Sequence, residues 1–250
     1  MALAAAAFGV QAHNVAVSIA RDGPRPAAGR LERRAQMRLK RRFARAALAV
    51  RVQRFSTPRG PSRNVIGVWA AGRCLRVVMA HADTVPPSPG ADDNASGLGM
   101  LAALAPRLAV VDPPCTVWLV ATGAEERLYT GSPDHLGALA LTRIVPRKRL
   151  RYALSIDEVG RGTRFRLRSP AGHPRRRVER ELMRSWVDWQ RDDTTGNSDH
   201  REFELAGMRG VKLGVLDEPV RHTARDTPDR LQRRAFVRVE RLVETVLRRR

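Results

Sequence analysis

Lysine is nearly missing from this chain of 250 residues: it occurs only at Lys40, Lys148 and Lys212, although the formal net charge is +21. The positive charge is therefore carried by arginine, and the arginines are scattered along the chain, not gathered into a tail. A charge of this size points in general to nucleic acid, an anionic membrane or an acidic partner. The sequence holds no zinc finger and no RNA-binding aromatic pair, so no specific nucleic-acid partner is expected. Arginine bias from a GC-rich coding sequence is the simpler reading. Cysteine is scarcer still, with only Cys74 and Cys115. Two lone thiols make neither a disulfide framework nor a CxxC metal site, and each is expected to be a small buried hydrophobe opening an apolar strand. No run reads as long and apolar enough for a transmembrane segment. The Ala-rich start lacks the positive n-region of a secretory signal, which makes cytoplasmic the expected location. There is no internal repeat and no long linker. Residues 13–250 read as one domain, preceded by an extension at 1–12 that need not be ordered. Nothing sets an oligomeric state.

What is present suffices for a core, since hydrophobic residues make up 43% of the chain. Gly23 to Pro26 is a turn. From Gly29 to Ala47 the pattern is helical and basic, with Leu31, Ala35, Leu39 and Phe43 on one stripe. Val50 to Phe55 alternates with period two, as a half-exposed strand does. Val65 to Ala71 and Cys74 to Ala80 read as two strands of a hairpin, closed by Ala71-Gly72-Arg73. The rhythm then becomes strand, helix, strand. Helices are expected at Asp93 to Leu108, Gly131 to Arg143, Arg177 to Gln190 and Ala235 to Arg248. Strands are expected at Val117 to Ala121, Tyr152 to Ile156 and Gly210 to Val215. Such alternation predicts an α/β fold: a three-layer α/β/α sandwich around a mixed, centrally parallel sheet.

In folds of this kind ligands gather at the carboxyl ends of the strands. The strand ending at Ala80 is followed by His81-Ala82-Asp83-Thr84, and a loop then leads to Gly90-Ala91-Asp92-Asp93-Asn94-Ala95-Ser96-Gly97. The strand ending at Ala121 is followed by Gly123-Ala124-Glu125-Glu126, and that ending at Ile156 by Asp157-Glu158. The strand ending near Val215 leads to Arg221-His222-Thr223. Singly, each piece is an ordinary surface pair or cap. Together they bring imidazole and carboxylate to one edge of the sheet. Two histidines and three carboxylates, one of them bridging, can hold two divalent ions roughly 3.5–4 Å apart with a water between them. One further carboxylate must take the water's proton and pass it to the leaving amine. The neighbours Glu125 and Glu126 suit that division, one on metal and one facing the water. Asp83 is placed to hold the other ring nitrogen of His81.

At HADTV, GADDNASG, GAEE, SIDEVG, SDHREFELAGM and RHTARD the chain resembles the co-catalytic dizinc aminopeptidases, peptidase family M28, which include bacterial leucine aminopeptidases and, more distantly, glutaminyl cyclases. The basic segment from Gly23 to Phe43 resembles the first helix of that family, so the likeness covers nearly the whole chain. The resemblance implies a zinc-exopeptidase-like fold, two Zn2+ ions and a peptide substrate. It places His81 and Asp157 on one ion, Glu126 and His222 on the other, and Asp93 between them, followed by a cis peptide to Asn94. Asp92 is the fallback for Asp93. Glu125 would be the general acid/base and Asp83 the residue orienting His81, while Asp199, His200 and Arg221 would lie at the substrate pocket. Some relatives carry tyrosine before the last histidine, where this chain has Arg221. Some flank that histidine with cysteines, where it has Val220 and Arg225. The reading is an aminopeptidase. A carboxypeptidase-like or cyclase-like enzyme on the same fold, and a basic binding protein on a disused peptidase scaffold, are its rivals. His13, His135 and His173 have no carboxylate arrangement in the sequence and read as surface or helix-end residues. Trp186 and Trp189, three apart on an expected helix, read as packing.

Overall fold

The computed structural model of the chain describes residues 2–127, 134–162, 164–168, 180, 189–192, 198–215 and 219–248. Among these, eight strands form one sheet: β1 (Ala49–Thr57), β2 (Gly60–Trp69), β3 (Leu75–His81), β4 (Thr116–Thr122), β5 (Leu150–Ile156), β6 (Phe165–Arg168), β7 (Trp189–Asp192) and β8 (Gly210–Val215). Their spatial order is β1-β2-β4-β3-β5-β8-β6-β7. The central β4, β3, β5 and β8 are parallel. On one side β2 joins β4 antiparallel and pairs with β1; on the other, β6 joins β8 antiparallel.

The central strands are mainly apolar because both faces are covered, with Arg76 in β3, Arg151 in β5 and Lys212 in β8 as charged exceptions. Side chains alternate between two cores with the period of two that a pleated strand dictates. Val117, Leu119 and Ala121 of β4 join one core, and Trp118 and Val120 the other. Helices α1 (Ala2–Ala20), α2 (Arg30–Arg45), α3 (Gly97–Val111) and α6 (Arg233–Arg248) close the first core through side chains such as Ile19, Phe43, Leu101 and Val243. The shorter α4 (Leu136–Thr142) and α5 (His200–Leu205) close the second with Leu141 and Phe203. The result is a three-layer α/β/α sandwich with a mixed, centrally parallel sheet. The boundary drawn at residue 12 falls inside α1, where Ala12 is fully buried. There α1 runs so close to α3 that a Cβ on Gly99 would stand 2.3 Å from the carbonyl oxygen of Ala12.

Several expectations need correction. β2 and β3 are not a hairpin: β4 lies between them, and the hairpin is β1–β2, closing at Thr57 and Gly60. The two cysteines are a disulfide, Cys74–Cys115, with Cα atoms 4.7 Å apart. They precede β3 and β4, which are parallel neighbours and so begin side by side. The expected helix from Asp93 becomes regular only at Gly97, since Asp93 and Asn94 have non-helical backbone angles and a cis peptide joins them. One segment, Ala91–Val111, is after all long and apolar enough to cross a membrane by composition, but 78% of its most apolar window is buried in the domain. Trp189 lies in β7, not on a helix. Trp186, His173, the first part of the helix expected from Gly131 and most of that expected over 177–190 fall outside the described residues.

Candidate metal centre

The four parallel strands end on one edge. His81 is the last residue of β3, Glu125 and Glu126 follow β4, Asp157 follows β5, and the chain beyond β8 returns with Arg221 and His222. Asp93 enters from the turn ahead of α3. Its two carboxylate oxygens are divided between the histidines: Oδ1 is 3.0 Å from His81 Nε2, and Oδ2 is 3.2 Å from His222 Nε2. Asp157 Oδ1 lies 3.4 Å from His81 Nε2, and Glu126 Oε2 lies 3.1 Å from His222 Nε2. Three groups of possible ligands result among the described residues: His81/Asp93/Asp157 and Asp93/Glu126/His222, which share Asp93, and His81/Glu125/Glu126. They line a cavity of about 50 Å³ with Glu158, Lys212 and Arg221. A groove ten times larger lies between α1 and α2 beside Arg38, Arg41, Arg42 and Arg45, but no carboxylate or imidazole lines it.

The loops that carry these side chains are fixed by buried polar contacts. The carboxylate of Asp226 accepts the N–H groups of Asp92 and Asp93 at 2.8 and 3.1 Å. Asp92 turns away from the imidazoles and accepts the N–H of Gly160 at 2.6 Å. Asn94 donates to the carbonyl of Ile156 and accepts the N–H of Gly97. Arg25, fully buried, donates to the carbonyls of Ala82, Pro89 and Gly90, tying both ends of the loop between His81 and Asp93. Gly90 itself has φ 59°, in the left-handed region where glycine carries no penalty. Asp83 differs in detail from expectation. His81 Nδ1 lies 3.2 Å from the main-chain carbonyl of Asp83 and 3.8 Å from its carboxylate. The carboxylate instead accepts the N–H groups of Glu125 and Glu126, both at 3.0 Å. Glu32 accepts the N–H of Ala124 from the other side.

This crowd of charges shifts the groups in opposite directions. Burial works against a charged His81, yet Glu125, Asp157 and Asp93 hold its imidazole well above the usual range. His222 resists partial burial in the same way and is lifted to about 10 by Asp93 and Glu126. Burial favours a protonated Asp93, but its bonds to His222 and His81 keep it strongly acidic. Asp157 is depressed too, against burial, chiefly by Lys212. Burial raises Glu125 well above the carboxylate range and Glu126 to about 7. Positive charge is thus favoured at each imidazole–carboxylate meeting point, and negative charge is disfavoured at Glu125.

Three contacts of the site have no signature in the sequence, although Arg221 itself is expected at the substrate pocket. Lys212, fully buried, reaches Asp157 Oδ2 at 2.8 Å and Glu158 at 3.1 Å. Arg221, with 34% of its side chain exposed, forks onto Glu158 through Nε and Nη2 at 2.6 and 2.7 Å. His135 is buried between Glu125 and Glu202, so it does have a carboxylate on each ring nitrogen. Its only sequence signal is that it stands ten positions after Glu125, and Glu202 lies far along the chain. Asp199 and His200, expected at a substrate pocket, are both fully buried and do not line the cavity. Asp199 accepts a 2.5 Å hydrogen bond from Thr122 and is raised by burial to about 6. Burial lowers His200 to about 3.

Residues 64–247 match the family model of peptidase family M28. Over 103 residues, 40% of the chain, the sequence is 33% identical to the aminopeptidase YwaD of Bacillus subtilis (strain 168); that segment is 22% of the relative's length. Among solved structures, a zinc aminopeptidase from Bacillus subtilis superposes with a TM-score of 0.84 at 16% identity, over 95% of this chain and 93% of that one. A leucine aminopeptidase precursor from Bacteroides thetaiotaomicron gives 0.84 at 20% identity, over 97% of each chain. A glutaminyl cyclase from the same organism, bound to N-acetylhistamine, gives 0.82 at 19% identity, over 97% and 98%. At these identities the likeness establishes the fold.

Proposed function

The chain belongs to peptidase family M28, and from that premise we propose that it is a zinc-dependent aminopeptidase that removes N-terminal residues from peptides. The observation that carries this reading is the division of Asp93 between His81 and His222, one oxygen to each. The donor set fits a pair of divalent ions: His81, Asp157 and one oxygen of Asp93 for the first, His222, Glu126 and the other oxygen for the second. Imidazole nitrogen with carboxylate oxygen suits zinc and neighbouring first-row metals. Asp157 Oδ1 is buried and has no hydrogen-bond partner among the described residues, as a group kept for a cation would be. When bound, such ions supply Lewis acidity and lower the pKa of a water.

The protein's own groups then divide the work. Glu125, ionised in the loaded site, accepts a proton from the attacking water and delivers it to the amine nitrogen as the peptide bond breaks. Asp83 positions Glu125 and Glu126 by holding both of their main-chain N–H groups. Arg221 stands at the rim, steadied by Glu158, where its charge can meet the substrate carbonyl as negative charge develops there.

Replacing Glu125 with glutamine tests the assignment. Turnover of an unblocked peptide should fall by several orders of magnitude while the bound metal stays at the parental level. Unchanged turnover would remove Glu125 from its role. Product analysis on a defined peptide separates the reactions: a released N-terminal amino acid supports the aminopeptidase, release from the other end excludes it, and ammonia from an N-terminal glutamine assigns a cyclase.

A further inference from the structure

We propose that His135, braced by Glu202, is the positioning residue of Glu125; this rests on the assignment of Glu125 as base. His135 sits at the start of α4 with φ 46° and 1% of its surface exposed. Its main-chain N–H donates to the carbonyl of Glu125 at 3.2 Å, and the next two N–H groups donate to Ala124 and Gly123. The beginning of α4 is therefore zipped onto the loop that carries Glu125. The ring adds a second attachment to the same residue. Nε2 faces Glu125 Oε1 at 3.5 Å, and Nδ1 lies 3.2 Å from Glu202 Oε1 on α5. Glu202 is itself 7% exposed, so the strut is buried along its length.

The geometry carries a directional argument. Glu125 has two oxygens and a flexible side chain, and the site needs one particular rotamer. With Oε1 facing His135, the carboxylate has one oxygen left for the cavity that Glu125 lines. His135 Nε2 is buried, and at 3.5 Å its approach to Glu125 is slightly longer than a hydrogen bond. Catalytic hydrogen bonds commonly shorten as the complex with substrate forms. Glu202 fixes the ring plane, since without it the imidazole could turn its edge away from Glu125.

Two variants separate positioning from bulk structure. His135→Phe keeps a ring and loses both nitrogens; His135→Gln keeps an amide near the place of Nε2. In zinc-loaded protein, His135→Phe should lower kcat by about 10- to 100-fold, with KM and metal content within twofold of the parent. His135→Gln should recover most of that loss. A kcat within twofold of the parent in His135→Phe, or equal losses in both variants together with lost metal, would overturn the proposal. A readout independent of turnover is the 15N resonance of His135 Nε2 in the zinc-loaded protein. It should move when Glu125 is replaced by glutamine, and an unmoved resonance also overturns the contact. If the parent cleaves no peptide but the resonance still responds to Glu125→Gln, the aminopeptidase reading fails and the strut stands.

Discussion

Asp226 has no place in the cavity, yet the position of Asp93 depends on it. Both of its oxygens are occupied by main-chain N–H groups, those of Asp92 and Asp93. An asparagine there has one acceptor and one donor, and the donor would face an N–H. The expected result of Asp226→Asn is a folded protein whose metal affinity is reduced at least tenfold, read by titration with a chelating competitor. Parental affinity would show that the turn keeps its shape without this carboxylate. Arg25 is the counterpart on the other side of the loop, with one guanidinium reaching three carbonyls. Lysine at 25 offers a single nitrogen for that fork, so Arg25→Lys should destabilise the protein by on the order of 3 kcal/mol, measured by urea denaturation. The ligand-type residues were legible because each follows an apolar run that ends in a short polar motif. Arg25 reads only as part of a turn. Its partners lie 57 to 65 positions away, and no local pattern records a contact of that span. His135 reads as a surface or helix-end residue for the same reason, since Glu202 is 67 positions further on.

Strand existence was readable from the alternation of apolar residues, but strand neighbours were not. A tight Ala71-Gly72-Arg73 connection suggests a hairpin, and nothing local indicates that β4, some forty residues later, will insert between β2 and β3. The same strand order decides the cysteines. Once β3 is placed beside β2, Cys74 is far from Cys115; once β3 is placed beside β4, their starts coincide. The cross-link closes a loop with a sequence separation of 41, which in the chain-entropy account is worth about 4 kcal/mol. Cys74→Ala with Cys115→Ala should therefore lose roughly 2–4 kcal/mol in urea denaturation. Alkylation without prior reduction should label neither cysteine in the purified protein, and two labelled thiols would remove the cross-link. The helix expected from Asp93 shows a further limit: Asp93 and Asn94 carry good capping chemistry, but the backbone there serves the site and the regular helix waits for Gly97.

At the scale of the whole molecule, stability should depend on pH through a group the site does not use. His200 opens α5 and is fully buried, and neither ring nitrogen has a hydrogen-bond partner among the described residues. Burial holds its imidazole down at about 3 in the folded protein, against an ordinary value of 6.5. As pH falls below 6.5 the unfolded chain therefore takes up this proton first, and the folded protein takes it up only near 3. The contribution of a neutral His200 is complete above pH 6.5 and is lost progressively between 6.5 and 3, with a slope of up to about 1.4 kcal/mol per pH unit. Carboxylates such as Asp157, depressed by Lys212, also lose their contribution as pH falls, so the parent curve alone does not isolate the histidine. The difference between the parent and His200→Leu does. Metal-free protein should be used for both, because acid also strips metal from histidine and carboxylate. Urea midpoints measured from pH 4 to 7 should fall more steeply for the parent than for His200→Leu, by up to one bound proton per molecule. Parallel curves would mean that His200 charges in the folded state without cost, and that acid sensitivity belongs to the carboxylates of the site alone.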